Sequence, residues 1–125
     1  MSEMKKGILY LAFSEAERND FEKLEYERAM SAQLFAESNA ILIVDEFADC
    51  SDLFWEARGG LKQILLNIKS NPNKFDCLLV YGYGNLIYQQ RDFDNLKRTL
   101  LDLEIELISI YRGEIEIESE YYFEP

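Results

Sequence analysis

The chain contains no histidine. That removes the commonest general base at neutral pH and the commonest metal ligand. Its two cysteines, Cys50 and Cys77, are too few and too far apart for a zinc pattern. They read as free thiols of a cytoplasmic protein. Only two prolines and six glycines occur, which argues against a loop-rich or disordered chain. Positive charge is scarce as well: 13 basic side chains face 24 acidic ones, a formal net charge of -11. Such a balance opposes nonspecific binding to nucleic acid, which relies on Lys and Arg neutralising phosphates, and it opposes anionic membranes. Direct DNA binding is not expected; a basic protein partner, or plain solubility, is. No apolar run is long enough to span a bilayer. The two lysines near the amino terminus are followed only by Ile8 to Phe13, with no small-residue cleavage site, so no signal peptide is expected.

What is present is core material. Hydrophobic residues make up 48% of 125, with eight Phe and eight Tyr. A chain of this size forms one domain, residues 1–125, and buries roughly two-thirds of its unfolded surface. Its organising stretch is Lys74 to Gln90. Phe75, Cys77, Leu78, Leu79, Val80 and Tyr81 form a nearly continuous apolar run, the mark of a strand covered on both faces in a parallel sheet. Gly82, Gly84 and Asn85 then break it. The crevice beyond the carboxyl end of such a strand is where a site forms in an open α/β sheet, and the residues just after this one carry no acid or base.

The remaining elements follow in order. Ile8–Phe13 predicts a first strand, ended by Ser14, with Glu15–Asp20 a charged loop or fraying turn. Phe21–Ser38 predicts a helix on which Ala29, Ala32 and Ala36 make a small-residue face for close approach to a sheet. Ala40–Phe47 predicts the second strand. Ala48–Ala57 reads as a loop in which Phe54 and Trp55 either form a contact site or fold back on the core. Asp45, Glu46 and Asp49 could suggest a metal cluster, but adjacent strand residues face opposite ways, so they read as loop surface.

Leu61, Ile64, Leu65 and Ile68 give the clearest helical stripe, preceded by Gly59-Gly60 and stopped by Ser70-Asn71-Pro72. Asp92 reads as the N-cap of a third helix carrying Phe93, Leu96, Leu100 and Leu103. Glu104–Tyr111 predicts the fourth strand. Glu114–Glu118 alternates strictly and predicts an edge strand whose glutamates deter edge-to-edge pairing. The order is β-α-β-α-β-α-β-β, an α/β domain with helices on the faces of a mostly parallel sheet.

Laid out in this way the chain resembles the catalytic domain of serine recombinases, the resolvase/invertase family, from about Ile8 to Ile110. The family's Tyr-x-Arg-Val-Ser strand is matched by Tyr10-Leu11-Ala12-Phe13-Ser14. Its Arg-Pro-Gly-Leu helix start is matched by Arg58-Gly59-Gly60-Leu61. Its Phe-Asp-x-Leu-Leu-Val-Tyr strand is matched by Phe75 to Tyr81, and its Leu-Ile-Ser by Leu107-Ile108-Ser109. The resemblance implies a three-layer fold with strand order 2-1-3-4 and an antiparallel edge strand at Glu114–Glu118.

The resemblance also implies where the chemistry has gone. Family members attack a DNA phosphodiester with the serine hydroxyl, and arginines with an aspartate stabilise the charge of the transition state. Here Ser14 keeps the nucleophile position, but Ala12 replaces the first-strand arginine. Gly84, Asn85 and Tyr88 stand where the aspartate and further arginines belong. Arg58 and Arg91 remain as residual anion contacts, with Arg58 better suited to orienting the second helix. The family's long dimerisation helix and DNA-binding domain are expected to be missing. In their place Glu114, Glu116, Glu118, Glu120, Tyr121, Tyr122 and Phe123 form an acidic, aromatic segment.

The preferred reading is a catalytically inactive serine-recombinase-like domain used as a protein-binding or regulatory module. Its partner would be another recombinase or a DNA-handling protein with a basic surface, of a mobile element or phage, and a homodimer is compatible with it. Partner contacts would fall on Phe54, Trp55 and the terminal acidic and aromatic residues. The alternative is an acidic DNA mimic that inhibits a nucleic-acid enzyme. A Ser14-dependent hydrolase comes last, since without histidine its activation would fall to Lys, Asp or Glu. No metal or cofactor is expected.

Overall fold

The computed structural model describes residues 4–13, 15–50, 59–81 and 90–110, with the side chains of 15, 16 and 90–93 excepted. Strand β1 (Lys5–Phe13) is apolar from Ile8 to Phe13 and is buried on both faces. A 3-10 turn over Glu15–Asp20 leads into helix α1 (Phe21–Ser38), whose bounds agree with the sequence reading. Strand β2 (Ile41–Cys50), helix α2 (Gly59–Ser70), strand β3 (Cys77–Val80), helix α3 (Gln90–Asp102) and strand β4 (Glu106–Ser109) follow.

The sheet order is β2-β1-β3-β4 and every pairing among the described residues is parallel. The order expected from the resemblance is therefore observed. The expected antiparallel strand at Glu114–Glu118 lies outside the described residues, and no antiparallel pairing occurs among those described. β3 is interior, between β1 and β4, and all four of its residues are buried. A run with no polar alternation folds there because both of its faces are covered by helices.

Side-chain parity divides the core into two layers. Ile8, Tyr10, Ala12, Leu78 and Val80 point to the face covered by α2 and α3, where Leu61, Ile64, Leu65, Ile68, Leu96 and Leu100 meet them. Leu9, Leu11, Phe13, Cys77 and Leu79 point to the face covered by α1, where Ala32 and Ala36 are fully buried and Ala29 is packed alongside. Helices on both faces make three layers, and all three alanines meet the sheet as their spacing predicts. Gly7 sits in this second layer. A Cβ there would come within 2.8 Å of Leu79 Cδ1 and 3.1 Å of Cys77 Sγ, so the close approach of β1 to its neighbours requires glycine.

Several boundaries differ from the sequence reading. Ala40 closes α1 with φ 56, a left-handed conformation, so β2 begins at Ile41 rather than Ala40. Glu104 does the same after α3 with φ 61, and β4 begins two residues later. Ala48–Cys50 is strand and not loop, because these residues pair with Leu11–Phe13 of β1. A bulge near Gly7/Ile8 shifts that register by one residue, with Gly7 opposite Ile43 and Ile8 opposite Asp45. Gly59 and Gly60 lie inside α2. Asp92 is the third residue of α3 and not its cap, since the helix starts at Gln90. Among the described residues no helix is long and apolar enough to cross a membrane.

Candidate functional site

The chain passes from β1 to β2 on one side and then from β2 across to β3 on the other, so the connections diverge between β1 and β3. In an open α/β sheet the crevice at that point, beyond the carboxyl ends of the strands, is the natural place for a site. The described residues at this end form two clusters, one on each face of the sheet.

On the α2 face the centre is Asp49, near the end of β2. Its Oδ2 accepts the Tyr10 hydroxyl at 2.7 Å and the Leu61 amide at 3.0 Å, while Oδ1 accepts the Gly60 amide at 2.8 Å. The carboxylate thus meets two of the open N–H groups of the first turn of α2, where the helix dipole favours negative charge. Gly60 makes this possible. A Cβ there would lie 2.9 Å from Asp49 Oδ2 and 3.0 Å from the Ala48 carbonyl. The reading of Asp49 as loop surface is overturned, since the extended β2 carries it inward to join β1 to α2. Asp45 instead accepts the backbone amide of Glu46 through Oδ1. Among the described residues no three His, Cys, Asp or Glu side chains group as metal ligands.

On the α1 face the centre is Arg28, whose side chain is only 14% exposed. Its Nη2 donates to Glu17 Oε2 at 2.9 Å. The guanidinium lies 4.9 Å from the centroid of the Phe13 ring and 5.2 Å from that of Tyr81, so the last residue of β1 and the residue after β3 both hold it by cation–π contact. Nη1 is buried and has no hydrogen-bond partner among the described residues. Nearby, Arg18 donates to the Cys50 carbonyl at 3.3 Å, and an open hollow of about 610 Å³ lies between the 3-10 turn, the start of α1 and Cys50. Cys77 is remote from this end; burial pushes its thiol up to about 11, which makes it inert as a nucleophile.

Of the residues singled out in the sequence, Ala12 is described. It is 6% exposed and packs in the α2-face core, with no charge to offer the crevice. Arg91 lies in the first turn of α3, its side chain outside the described set. Ser14, Phe54, Trp55, Arg58, Gly84, Asn85, Tyr88, Glu114, Glu116, Glu118, Glu120, Tyr121, Tyr122 and Phe123 lie outside the described residues. The sequence reading missed Arg28 and set Asp49 aside as loop surface. Neither belongs to a quoted motif, and each acquires its setting only when elements distant in sequence meet. A helix arginine three residues after Glu25 gives no local sign that it will turn inward.

No protein-family model matches the chain, and no curated protein matches it in sequence. Solved structures do match in fold. The N-terminal catalytic domain of TP901-1 integrase superposes with a TM-score of 0.71 at 23% identity, over 89% of this chain and 80% of that one. A resolvase family site-specific recombinase from Streptococcus pneumoniae gives 0.70 at 21% identity, over 87% and 74%. The C-terminal catalytic domain of ISC1926 TnpA, an IS607-like serine recombinase, gives 0.66 at 14% identity, over 92% and 74%. The protein therefore has the fold of serine-recombinase catalytic domains, as its motifs imply.

Proposed function

We propose that the protein is a catalytically inactive serine-recombinase-like domain that serves as a protein-binding or regulatory module. The observation that supports this most directly is Ala12. Where the resemblance calls for an arginine near the end of the first strand, a small apolar side chain packs in the core. Phosphoryl transfer needs fixed positive charge at the developing oxyanions, and removal of one such donor costs factors of about 10² to 10³. Arg28 does not make up the loss, because its charge is already bonded to Glu17 and held between two rings. Asn85 and Tyr88 add no charge.

The test is incubation with supercoiled plasmid, with and without Mg²⁺. The expected result is no nicking and no covalent protein–DNA adduct. A Ser14-dependent adduct on a denaturing gel would overturn the reading. The partner envisaged is a recombinase or other DNA-handling protein with a basic surface.

The net charge of -11 favours a second reading, an acidic DNA mimic seated in the basic groove of a nucleic-acid enzyme. Salt separates the two. Binding through clustered carboxylates falls steeply with ionic strength, whereas binding through helix faces and aromatic side chains resists it.

A further inference from the structure

Helix α1 has 18 residues, and the sheet takes only part of its circumference. Away from the sheet, Tyr26, Met30 and Leu34 recur at i, i+4 and i+8 and are 67%, 48% and 62% exposed. They line a groove of about 450 Å³ that is closed on one side by Glu46 of β2. β2 is an outer strand of the sheet, and of its residues only Glu46 lines the groove; Leu42, between Ile41 and Ile43 of the α1-face core, lies on the opposite face. A lone exposed leucine means little, but a row of large apolar side chains along a groove is a contact surface.

The charge around the row has one dominant sign. α1 carries Glu22, Glu25, Glu27 and Glu37 against Lys23 and an Arg28 already bonded to Glu17. Partial desolvation, and after it the charge of the half-buried Glu25, raise the Glu46 carboxyl above its ordinary range. Neither carboxylate pairs with a basic side chain among the described residues. Two like charges held together beside an apolar groove are relieved by a cation from outside.

We propose that the groove between α1 and β2 is the docking surface for a basic amphipathic helix of a protein partner. Its apolar face would cover Tyr26, Met30 and Leu34, and its Lys or Arg side chains would reach Glu25, Glu37 and Glu46. A row at i, i+4 and i+8 is the ridge that packs into the groove of another helix, which favours a helical occupant. Charge selects among occupants. A second copy of this chain would bring a second set of the same glutamates to the contact. The chain's own segment from Gly113 to Pro125 has five glutamates and no basic residue, so it too would add like charge. The inference deepens the protein-binding reading, and the two fail separately: Ser14-dependent DNA cleavage would overturn the inactive module without touching the groove.

The experiment is an NMR titration of the full chain with a synthetic amphipathic helical peptide bearing leucines on one face flanked by lysines and arginines. A matched peptide carries glutamates in place of the basic residues. The basic peptide is expected to shift the amide resonances of α1 from Tyr26 to Glu37 and of β2 from Leu42 to Glu46, while the acidic peptide leaves them in place. Met30→Asp with Leu34→Asp should weaken binding at least about tenfold, the loss typical of central contact residues, with the thermal midpoint unchanged. Glu25→Lys with Glu46→Lys should reverse the preference between the two peptides. Three results would overturn the proposal. One is the absence of shifts in the groove, or shifts that ignore these variants. Another is a dimer in sedimentation that Met30→Asp makes monomeric, which assigns the groove to a second copy. The last is movement of the same resonances when residues 111–125 are removed, which assigns it to the chain's own segment.

Discussion

The two faces of the sheet are covered in different ways. On one, α2 spends 12 residues to bury four large side chains, Leu61, Ile64, Leu65 and Ile68, and α3 adds Leu96 and Leu100. On the other, α1 is half again as long yet fully buries only Ala32 and Ala36. Alanines let that helix lie close to Leu9, Leu11 and Leu79, so little side-chain volume fits between the layers. The large apolar residues of α1 are left to other tasks. Leu24 and Phe35 pack at the margin of the core, whereas Tyr26, Met30 and Leu34 face outward. Helix length is therefore a poor guide to how much a helix contributes to the core. The stripe of α2 from Leu61 to Ile68 belongs to the fold, with Leu66 alone of its leucines and isoleucines exposed, and the outer row of α1 is available for contact.

Truncation should separate the two faces most sharply. Ile64→Ala removes a fully buried side chain and is expected to cost about 2–5 kcal/mol. Leu34→Ala on α1 should stay within about 0.5 kcal/mol, as surface substitutions do. Urea unfolding midpoints of the two variants check this, and similar losses would break the contrast.

Asp49→Ala tests the α2 face at its polar end. It removes the acceptor that the Tyr10 hydroxyl and two amides of the first turn of α2 share. Each hydrogen bond to a charged acceptor is worth about 1.5–3 kcal/mol, and water reaching the exposed end of the helix offsets part of the loss. A net cost of about 2–3 kcal/mol is expected, with faster hydrogen exchange at Gly60 and Leu61. Exchange that stays slow would mean that α2 is held by its apolar stripe alone. The counterpart on the other face is Ala32→Leu, which forces volume between α1 and the sheet. Overpacking of this kind costs about 1–3 kcal/mol, read from the same unfolding curves; a neutral result would show that α1 can lift away from β1.

How far each region was legible in the sequence follows from the range of the interaction that builds it. The interior position of β3 could be read because an uninterrupted apolar run is itself the consequence of two covered faces. The bounds of α1 and the stripe of α2 were legible for the same local reason. The strand ends were not. Ala40 and Glu104 take left-handed conformations that glycine or asparagine would have advertised. Ala48–Cys50 is strand only because β1 runs far enough to pair with it. At the carboxyl end of the sheet, the motifs identified Ala12 as a missing charge, but the groups that do meet there were silent. Arg28 and Glu17 lie 11 positions apart, and Asp49 and Tyr10 lie 39 apart. No periodicity or motif reaches across such separations. The outer row of α1 was visible as residues but not as a surface, since helical spacing does not say which side the sheet will choose.

The smallest effect expected concerns Glu46, at the wall of the α1 groove. Partial burial, and after it the charge of Glu25, raise its carboxyl above the ordinary glutamate value. At neutral pH the side chain is ionised in both the folded and the unfolded chain, and the folded environment disfavours that charge. Glu46 therefore lowers stability at neutral pH, and the penalty fades as pH falls through the folded-state value toward the unfolded one. Glu46→Gln should accordingly be slightly more stable than the parent at neutral pH, with the two converging in acid. The gain is small because the side chain is exposed and water screens it. Thermal midpoints of both proteins across the acid range check the sign. Salt then separates the causes. Screening weakens the repulsion from Glu25 but not the desolvation, so most of the difference should survive high ionic strength. A difference abolished by salt would place Glu25 ahead of burial. A difference that ignored pH would mean that folding leaves the Glu46 carboxyl unperturbed, and the α1 face would lose the electrostatic strain that marks it off from the α2 face.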